Sequence, residues 1–306
     1  VTEFDEWLSH DPYALTREEK RSALLQRLQK LTRHHQQYCT AYRNILQGLG
    51  SRVEDIKTIE DIPFIPVSLF KSLALKSVPN EDVVKTMTSS GTTGQSVSRI
   101  FLDKTTAARQ QKTLVRIVNH FTGAGRLPML IIDTPTVMKD RNMFSARGAG
   151  ILGFSIFGSD RFYALNDDMT LNYDGVNAFL ARHQGKSILL FGFTFMVWQH
   201  FYQALNASGK TLDLANGILI HGGGWKLLQS QAVTADALSK ALHNVSGLTR
   251  VYDYYGMVEV YMQCEHGHFH ASIFSDVIVR DPLDFSTCPP GKPGILSPSP
   301  IRVTHS

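Results

Sequence analysis

The chain has 306 residues, is 43 % hydrophobic and carries a formal net charge of +4. That length allows one large or two ordinary domains with a substantial core, and no run approaches the ~18 apolar residues of a membrane-spanning helix. The charge is spread along the chain, with no basic tail and no nucleic-acid-binding module, so a nucleic-acid partner is not expected. The cysteines Cys39, Cys264 and Cys288 do not make a disulfide framework, and a reducing cytoplasmic setting fits them best. Asp5 and Glu6 near the start, with no apolar stretch around them, predict no secretory signal.

Thr16-Arg17-Glu18-Glu19 reads as a helix capping box, with Glu19 reaching back to Thr16. Leu24, Leu28, Leu31, Tyr38, Tyr42 and Ile45 then recur at helical spacing, which predicts one helix ended by Gly48 and Gly50. Arg33-His34-His35 is expected to be a solvated face of it. Pro63 and Pro66 force 62–67 into an extended path. Residues 1–60 are therefore expected to be a helical segment packed on a larger domain, 61–306. In that domain Asp103 starts a helix through Leu114, Ile117, Val118 and Phe121. Short apolar runs predict strands at 129–132, 151–157, 187–191, 218–221, 251–255 and 272–279. Helices through Met196, Trp198 and Leu205, and through Val233, Leu238 and Leu242, lie between them. Strands alternating with helices argue for an α/β fold whose mostly parallel sheet is covered by helices. The tail Cys288-Pro289-Pro290-Gly291-Lys292-Pro293-Gly294 is turn-rich and leads into an edge β region.

Three segments can carry chemistry, although each taken alone also reads as ordinary structure: a flexible surface linker, a plain loop, and a surface glutamate after a turn. Thr88-Ser89-Ser90-Gly91-Thr92-Thr93-Gly94-Gln95 has hydroxyls and glycines whose O–H and N–H donors can wrap phosphates, yet it lacks the Gly-Lys-Ser/Thr ending of a Walker loop. Ile220-His221-Gly222-Gly223-Gly224-Trp225-Lys226 ends a predicted strand, where open α/β sheets bind ligands, and its glycines let a flat ring lie on the backbone. Tyr254-Tyr255-Gly256-Met257-Val258-Glu259 follows the next strand, and Glu259 offers oxygen to a hard cation such as magnesium. Aromatics around Gly192, in Phe191-Gly192-Phe193-Thr194-Phe195-Met196, suit core packing or an acyl pocket.

Taken in order, Ser-Gly-Thr-Thr-Gly, a Gly-Gly segment and Tyr-Gly-x-x-Glu resemble the adenylate-forming superfamily of acyl-CoA ligases, aryl-CoA ligases and luciferase-like enzymes, over about 62–294. The resemblance implies the large N-terminal domain of such an enzyme, with ATP and magnesium as cofactors. Ser89, Ser90, Gly91, Thr92, Thr93 and Gly94 would close over the ATP phosphates. Gly222, Gly223, Gly224, Tyr255 and Gly256 would flank the adenine. Glu259 would bind magnesium and act in catalysis with Thr92 and Thr93, while Phe191, Gly192, Phe193 and Thr194 would line the acid pocket. The wording is most similar to the acyl-protein synthetases of bacterial luciferase systems: Asp61-Ile62-Pro63-Phe64-Ile65-Pro66, the hydroxyl-rich loop, His221-Gly222-Gly223-Gly224-Trp225-Lys226 and Tyr255-Gly256-Met257-Val258-Glu259. That family implies an acid–thiol ligase: a fatty acid becomes acyl-AMP, and its acyl group passes to a cysteine for hand-over to a reductase partner.

Several positions depart from the superfamily. Ser96 and Val97 stand where many members have Pro-Lys, and Val258 replaces the usual threonine. The ribose-binding Thr-Gly-Asp segment, the C-terminal lid with its lysine and the acyl-accepting cysteine are not visible before Ser306, so the lid is expected to be absent or truncated here. Cys264, His266, His268 and His270 could ligate zinc, with Cys288 as the extra ligand, or could be ordinary half-buried residues. Two rival readings remain: a phenylacetate-type acyl- or aryl-CoA ligase, and a non-catalytic nucleotide-binding module, which the losses at Val97 and Val258 favour.

Overall fold

The computed structural model describes residues 3–88, 97–138, 146–257, 260–265 and 268–300. Helices α1 (Glu3–Ser9), α2 (Arg17–Tyr38), α3 (Thr40–Gly48) and α4 (Leu69–Ser72) precede an antiparallel hairpin of β1 (Val83–Thr88) and β2 (Arg99–Asp103). After α5 (Lys104–Thr122) come β3 (Leu127–Ile132), α6 (Ala146–Phe154), β4 (Gly158–Tyr163), α7 (Tyr173–Arg182) and β5 (Ile188–Phe193). Then follow α8 (Thr194–Met196), a π-helical segment (Val197–Tyr202), α9 (Gln203–Ser208), β6 (Gly217–Gly222), α10 (Ala235–Ser246) and β7 (Arg250–Met257). The last strands are β8 (Val260–Glu265), β9 (His268–Ala271), β10 (Ser275–Arg280) and β11 (Ile295–Pro300). Among the described residues no helix is long and apolar enough to cross a membrane. The chain divides into two compact units: residues 1–118, 257–261 and 271–306, and residues 119–256 and 262–270.

In the first unit the capping box forms as expected. Thr16 Oγ1 accepts from the Glu19 N–H (3.3 Å), and the Glu19 carboxylate accepts from the Thr16 N–H (2.9 Å). Thr16→Ala is expected to lower stability by about 1 kcal/mol, the usual worth of such a cap, read as a shift of the urea midpoint at unchanged slope. The predicted single helix is two. Tyr38 lies ten residues after Leu28, about 80° off the buried face at ~100° per residue, and is exposed. Cys39 takes an extended backbone (φ −114°, ψ 100°), and the chain turns there so that Leu46 can reach the core. Gly50 supplies the left-handed φ of +63° that stops α3. Arg33 is exposed as expected, but His35 Nδ1 meets Ser77 Oγ at 2.6 Å on the wall of a cavity of about 220 Å³ lined by Ile65, Phe70, Leu75, Ile100 and Leu102.

The unit is closed by residues from both ends of the chain. β10 pairs antiparallel with β11, which realises the expected edge β region. Lys20 in α2 is buried, lies 3.5 Å from the Asp276 carboxylate in β10 and donates to the Ala271 carbonyl at 3.2 Å. Burial lowers its pKa and the carboxylate opposes that shift. Arg21 joins the same carboxylate at 3.5 Å and also meets Glu60.

The second unit is built on a sheet of order β4-β3-β5-β6-β7-β8-β9, whose first five strands are parallel. β5 and β6 are buried at every position, as a parallel strand covered on both faces must be. Helices make the crossovers and are capped locally. The Asn172 side chain accepts from the Gly175 N–H at 3.0 Å to start α7, and the Thr234 hydroxyl accepts from the Ala237 N–H at 3.2 Å to start α10, just after Val233. The strand expected at 151–157 is instead the end of α6 followed by a short 3-10 turn (Ser155–Phe157). Its buried apolar residues Ile151, Phe154 and Phe157 recur every third position, while Leu152 and Ile156 are exposed; that is a helical period, which a short apolar run hides.

Candidate nucleotide and acyl site

Parallel strands bring all their C-terminal ends to one edge. The strand order reverses between β3 and β5, and open α/β sheets bind their ligands at such a place. Register aligns the residues there in rows: Ile132 beside Gly192, Gly192 beside His221, and His221 beside Asp253. The next row holds Phe193, Gly222 and Tyr254.

Gly222 ends β6, Gly223 and Gly224 follow it, and the geometry favours glycine at each. A Cβ on Gly222 would lie 2.6 Å from the Tyr254 carbonyl oxygen and 2.7 Å from its ring. Gly223 has φ +81°, and its Cβ would lie 2.4 Å from the Phe193 ring. Gly224 has φ +66° with open space before it. Tyr255, 38 % exposed, and Gly256 stand on the adjoining strand β7. Strand register puts Gly222 beside Tyr254, whose ring lies against both Gly222 and Gly256, while the Tyr255 ring meets Phe269 at 6.4 Å.

Next to these residues lies a polar row. Thr194 Oγ1 is 3.0 Å from His221 Nδ1 and donates to the Gly222 carbonyl at 3.2 Å. Burial pushes the His221 imidazole down to about 4, so it is neutral. Burial pushes Asp253 up to about 6, against a hydrogen bond from the Tyr254 N–H. His221 Nδ1 and Asp253 Oδ1 are 3.8 Å apart, beyond hydrogen-bond reach, so desolvation outweighs their attraction. Past the end of β3, Asp133 is 1 % exposed, and burial raises its carboxyl pKa. Its Oδ1 accepts from the Thr134 N–H at 2.8 Å, and Arg147 Nε lies 3.5 Å from Oδ2.

Phe191, Gly192, Phe193 and Thr194 are all buried. The Phe191 ring stacks on Phe154 at 4.3 Å and meets Phe193 edge-on at 6.3 Å, and Tyr254 lies 5.0 Å from Phe154. The rings of Phe154, Phe191, Phe193 and Tyr254 form an aromatic layer at this end of the sheet.

Ser89, Ser90, Gly91, Thr92, Thr93 and Gly94 lie outside the described residues, as do Val258, Glu259 and His266. The loop is flanked by Thr88 of β1 and Arg99 of β2, which pair with each other. His268 and His270 are exposed on β9. Among the described residues no three His, Cys, Asp or Glu side chains are grouped to hold a metal. The sequence reading missed Asp133, Arg147 and Asp253. The signal that could have found Asp133 is a carboxylate placed directly after the all-apolar run of β3.

This fold is that of the adenylate-forming ligases. It matches 2-hydroxyisobutyryl-CoA ligase solved in the postadenylation state in complex with R3-HIB-AMP, with a TM-score of 0.69 at 14 % identity over 95 % of this chain. The same ligase in complex with 2-HIB-AMP and CoA, in the thioesterification state, matches with a TM-score of 0.66 at 15 % identity, also over 95 % of this chain. The chain spans 61 % and 62 % of those two structures' own chains. The chain belongs to the acyl-protein synthetase, LuxE family, whose profile matches residues 2–302. A long-chain-fatty-acid–luciferin-component ligase from Photorhabdus luminescens is 33 % identical over 87 residues, which are 28 % of this chain and 73 % of that protein.

Proposed function

We propose that the chain binds ATP and activates a long-chain fatty acid as its acyl adenylate, for transfer to a protein thiol. The observation that carries this is the end of β6: Gly222, Gly223 and Gly224, the last two with left-handed φ, the Tyr254 ring against Gly222, and Tyr255 and Gly256 next along β7. An adenine can lie flat there. The acid's carboxylate oxygen attacks the α-phosphorus, the bond to the bridging oxygen breaks, and pyrophosphate leaves. No protein nucleophile is needed; alignment of two anions and neutralisation of their charge suffice.

In this reading Ser89, Ser90, Gly91, Thr92, Thr93 and Gly94 donate to the phosphates and Glu259 holds magnesium. The acid lies against Phe191, Gly192, Phe193 and Thr194. Family membership and the Photorhabdus match support a fatty acid and a protein acceptor; a reductase as the downstream partner and the cytoplasm as the setting belong to the proposal. A CoA acceptor would share the first half-reaction.

Pyrophosphate exchange with acids from acetate to long-chain fatty acids, aromatic acids included, is the test. Exchange is expected with apolar acids, and a preference for a small charged acid would overturn the reading. Thr92→Ala/Thr93→Ala is expected to weaken ATP binding by about 1–3 kcal/mol, the cost of lost charge-assisted hydrogen bonds. Glu259→Gln is expected to reduce exchange far more than thermal stability. Wild-type ATP affinity in the double variant, or wild-type exchange in Glu259→Gln over a magnesium titration, would move those roles elsewhere.

A further inference from the structure

We propose that Arg147 binds the carboxylate of the acid to be activated and that Asp133 is the positioning residue that holds its guanidinium; this rests on the acid-activation reading above.

Asp133 follows β3, at the place where the strand order reverses. A carboxylate buried there is costly unless a cation meets it. One oxygen is used by the Thr134 N–H; Oδ2 has no hydrogen-bond partner among the described residues. The groups whose charges bear on Asp133 come from three elements: Arg147 of α6, His200 of the π-helical segment and Tyr163 of β4. Only the arginine is a permanent cation.

Arg147 is built for two partners. Its Nε faces Asp133 Oδ2 at 3.5 Å, while its side chain keeps 29 % exposure. Its Nη1 lies 3.3 Å from Met196 Sδ, a weak acceptor that an anion readily displaces. Met196 ends α8, which begins at Thr194 directly after Phe193. The guanidinium is therefore beside the residues assigned to the acid, and Gly150, one turn on in α6, packs against the Phe193 ring with only 3.1 Å left for a Cβ. A guanidinium fork matches a carboxylate in bidentate geometry, and a lysine does not. Held from behind by Asp133, it loses little freedom when the acid arrives. A cation shared between two carboxylates also neutralises the incoming one while leaving it nucleophilic.

The test is equilibrium binding to the whole chain of decanoate, of the neutral analogue decanol, and of ATP, with near-ultraviolet circular dichroism as the control for folding. The wild type is expected to prefer decanoate over decanol by about tenfold or more, the worth of a charge-assisted contact. Arg147→Met is expected to bind the two alike, with ATP affinity within about twofold of wild type. Arg147→Lys, which keeps the charge without the fork, should retain part of the preference. Asp133→Asn should also lose part of it. A decanoate preference that survives in Arg147→Met overturns the proposal. So does a loss confined to ATP, which would give the fork to a phosphate. A wild type that binds acids without preferring decanoate overturns the arginine's role and leaves acid activation standing. A wild type that binds no acid removes both.

Discussion

Phe191→Ala is expected to lower folding stability by about 3–5 kcal/mol, the range for deleting a fully buried aromatic ring. Phe191 is 0 % exposed, in the strand between β3 and β6, with Ile131 and Ile220 as its neighbours in register. Its ring stacks on Phe154 at 4.3 Å and also meets Phe193 and Tyr254. Two flanking strands fix the backbone on either side, so the void left by the ring closes only in part. Urea unfolding measures the loss, and a cost below about 1 kcal/mol would mean that Phe154 and Tyr254 refill the space. The same variant probes the acid site. If acyl chains run along this layer, removing the ring lengthens their path, and the preferred acid should become longer.

Between pH 4 and 6.5, two buried groups are expected to pull stability in opposite directions. His221 titrates at about 4 in the folded chain against an ordinary 6.5, because burial disfavours the imidazolium. Below pH 6.5 the unfolded chain gains a proton that the folded chain refuses. Stability therefore falls on acidification through this window, by about 3 kcal/mol at ~1.4 kcal/mol per unit. Asp253 titrates at about 6 against an ordinary 3.8, also through burial. Between those values the folded chain keeps a proton that the unfolded chain releases, so stability falls as pH rises. The two effects largely cancel in the wild type. Asp253→Asn should leave the histidine's slope alone, with a Tm that drops steeply from pH 6.5 to 4. His221→Asn should reverse that slope. Slopes that change in the same direction, or not at all, would mean that the two groups form an ion pair instead of standing apart at 3.8 Å with Thr194 on the imidazole.

Much of this architecture is legible in the residues because it depends on local pattern. Buried parallel strands show as apolar runs, as at β3, β5 and the part of β6 before His221, and the Thr16 cap needs only its own four residues. The glycines at 222–224 are legible for a similar reason, since chain reversal after a strand leaves few residue types that fit. The strand expected at 151–157 shows the limit. Isoleucine and phenylalanine at every third position are compatible with either structure until something packs against one side. The break at Cys39 is set by what the second helix must cover, and no residue there announces it. Asp133 and Arg147 lie fourteen positions apart with a helix start between them, and only the sheet's order makes them neighbours. His221 and Asp253 meet through strand register, which a single sequence does not state.

The path of the chain has a consequence for how it is made. The first unit begins with α1 and α2 but is completed by β10 and β11, and the second unit is threaded in between. On a ribosome, Lys20 emerges some 250 residues before Asp276. At roughly 5–20 residues per second, that is a wait on the order of 10–50 s. During it α2 carries a basic pair, Lys20 and Arg21, whose shared partner Asp276 has not been synthesised. The parallel sheet of the second unit lies almost wholly within one continuous stretch and can fold in that interval. Nascent chains ending at residue 256, and again at residue 300, each held clear of the ribosome by a C-terminal linker, should therefore give protease resistance first in the later-born unit, with the Lys20 end of α2 fully protected only at the second stop.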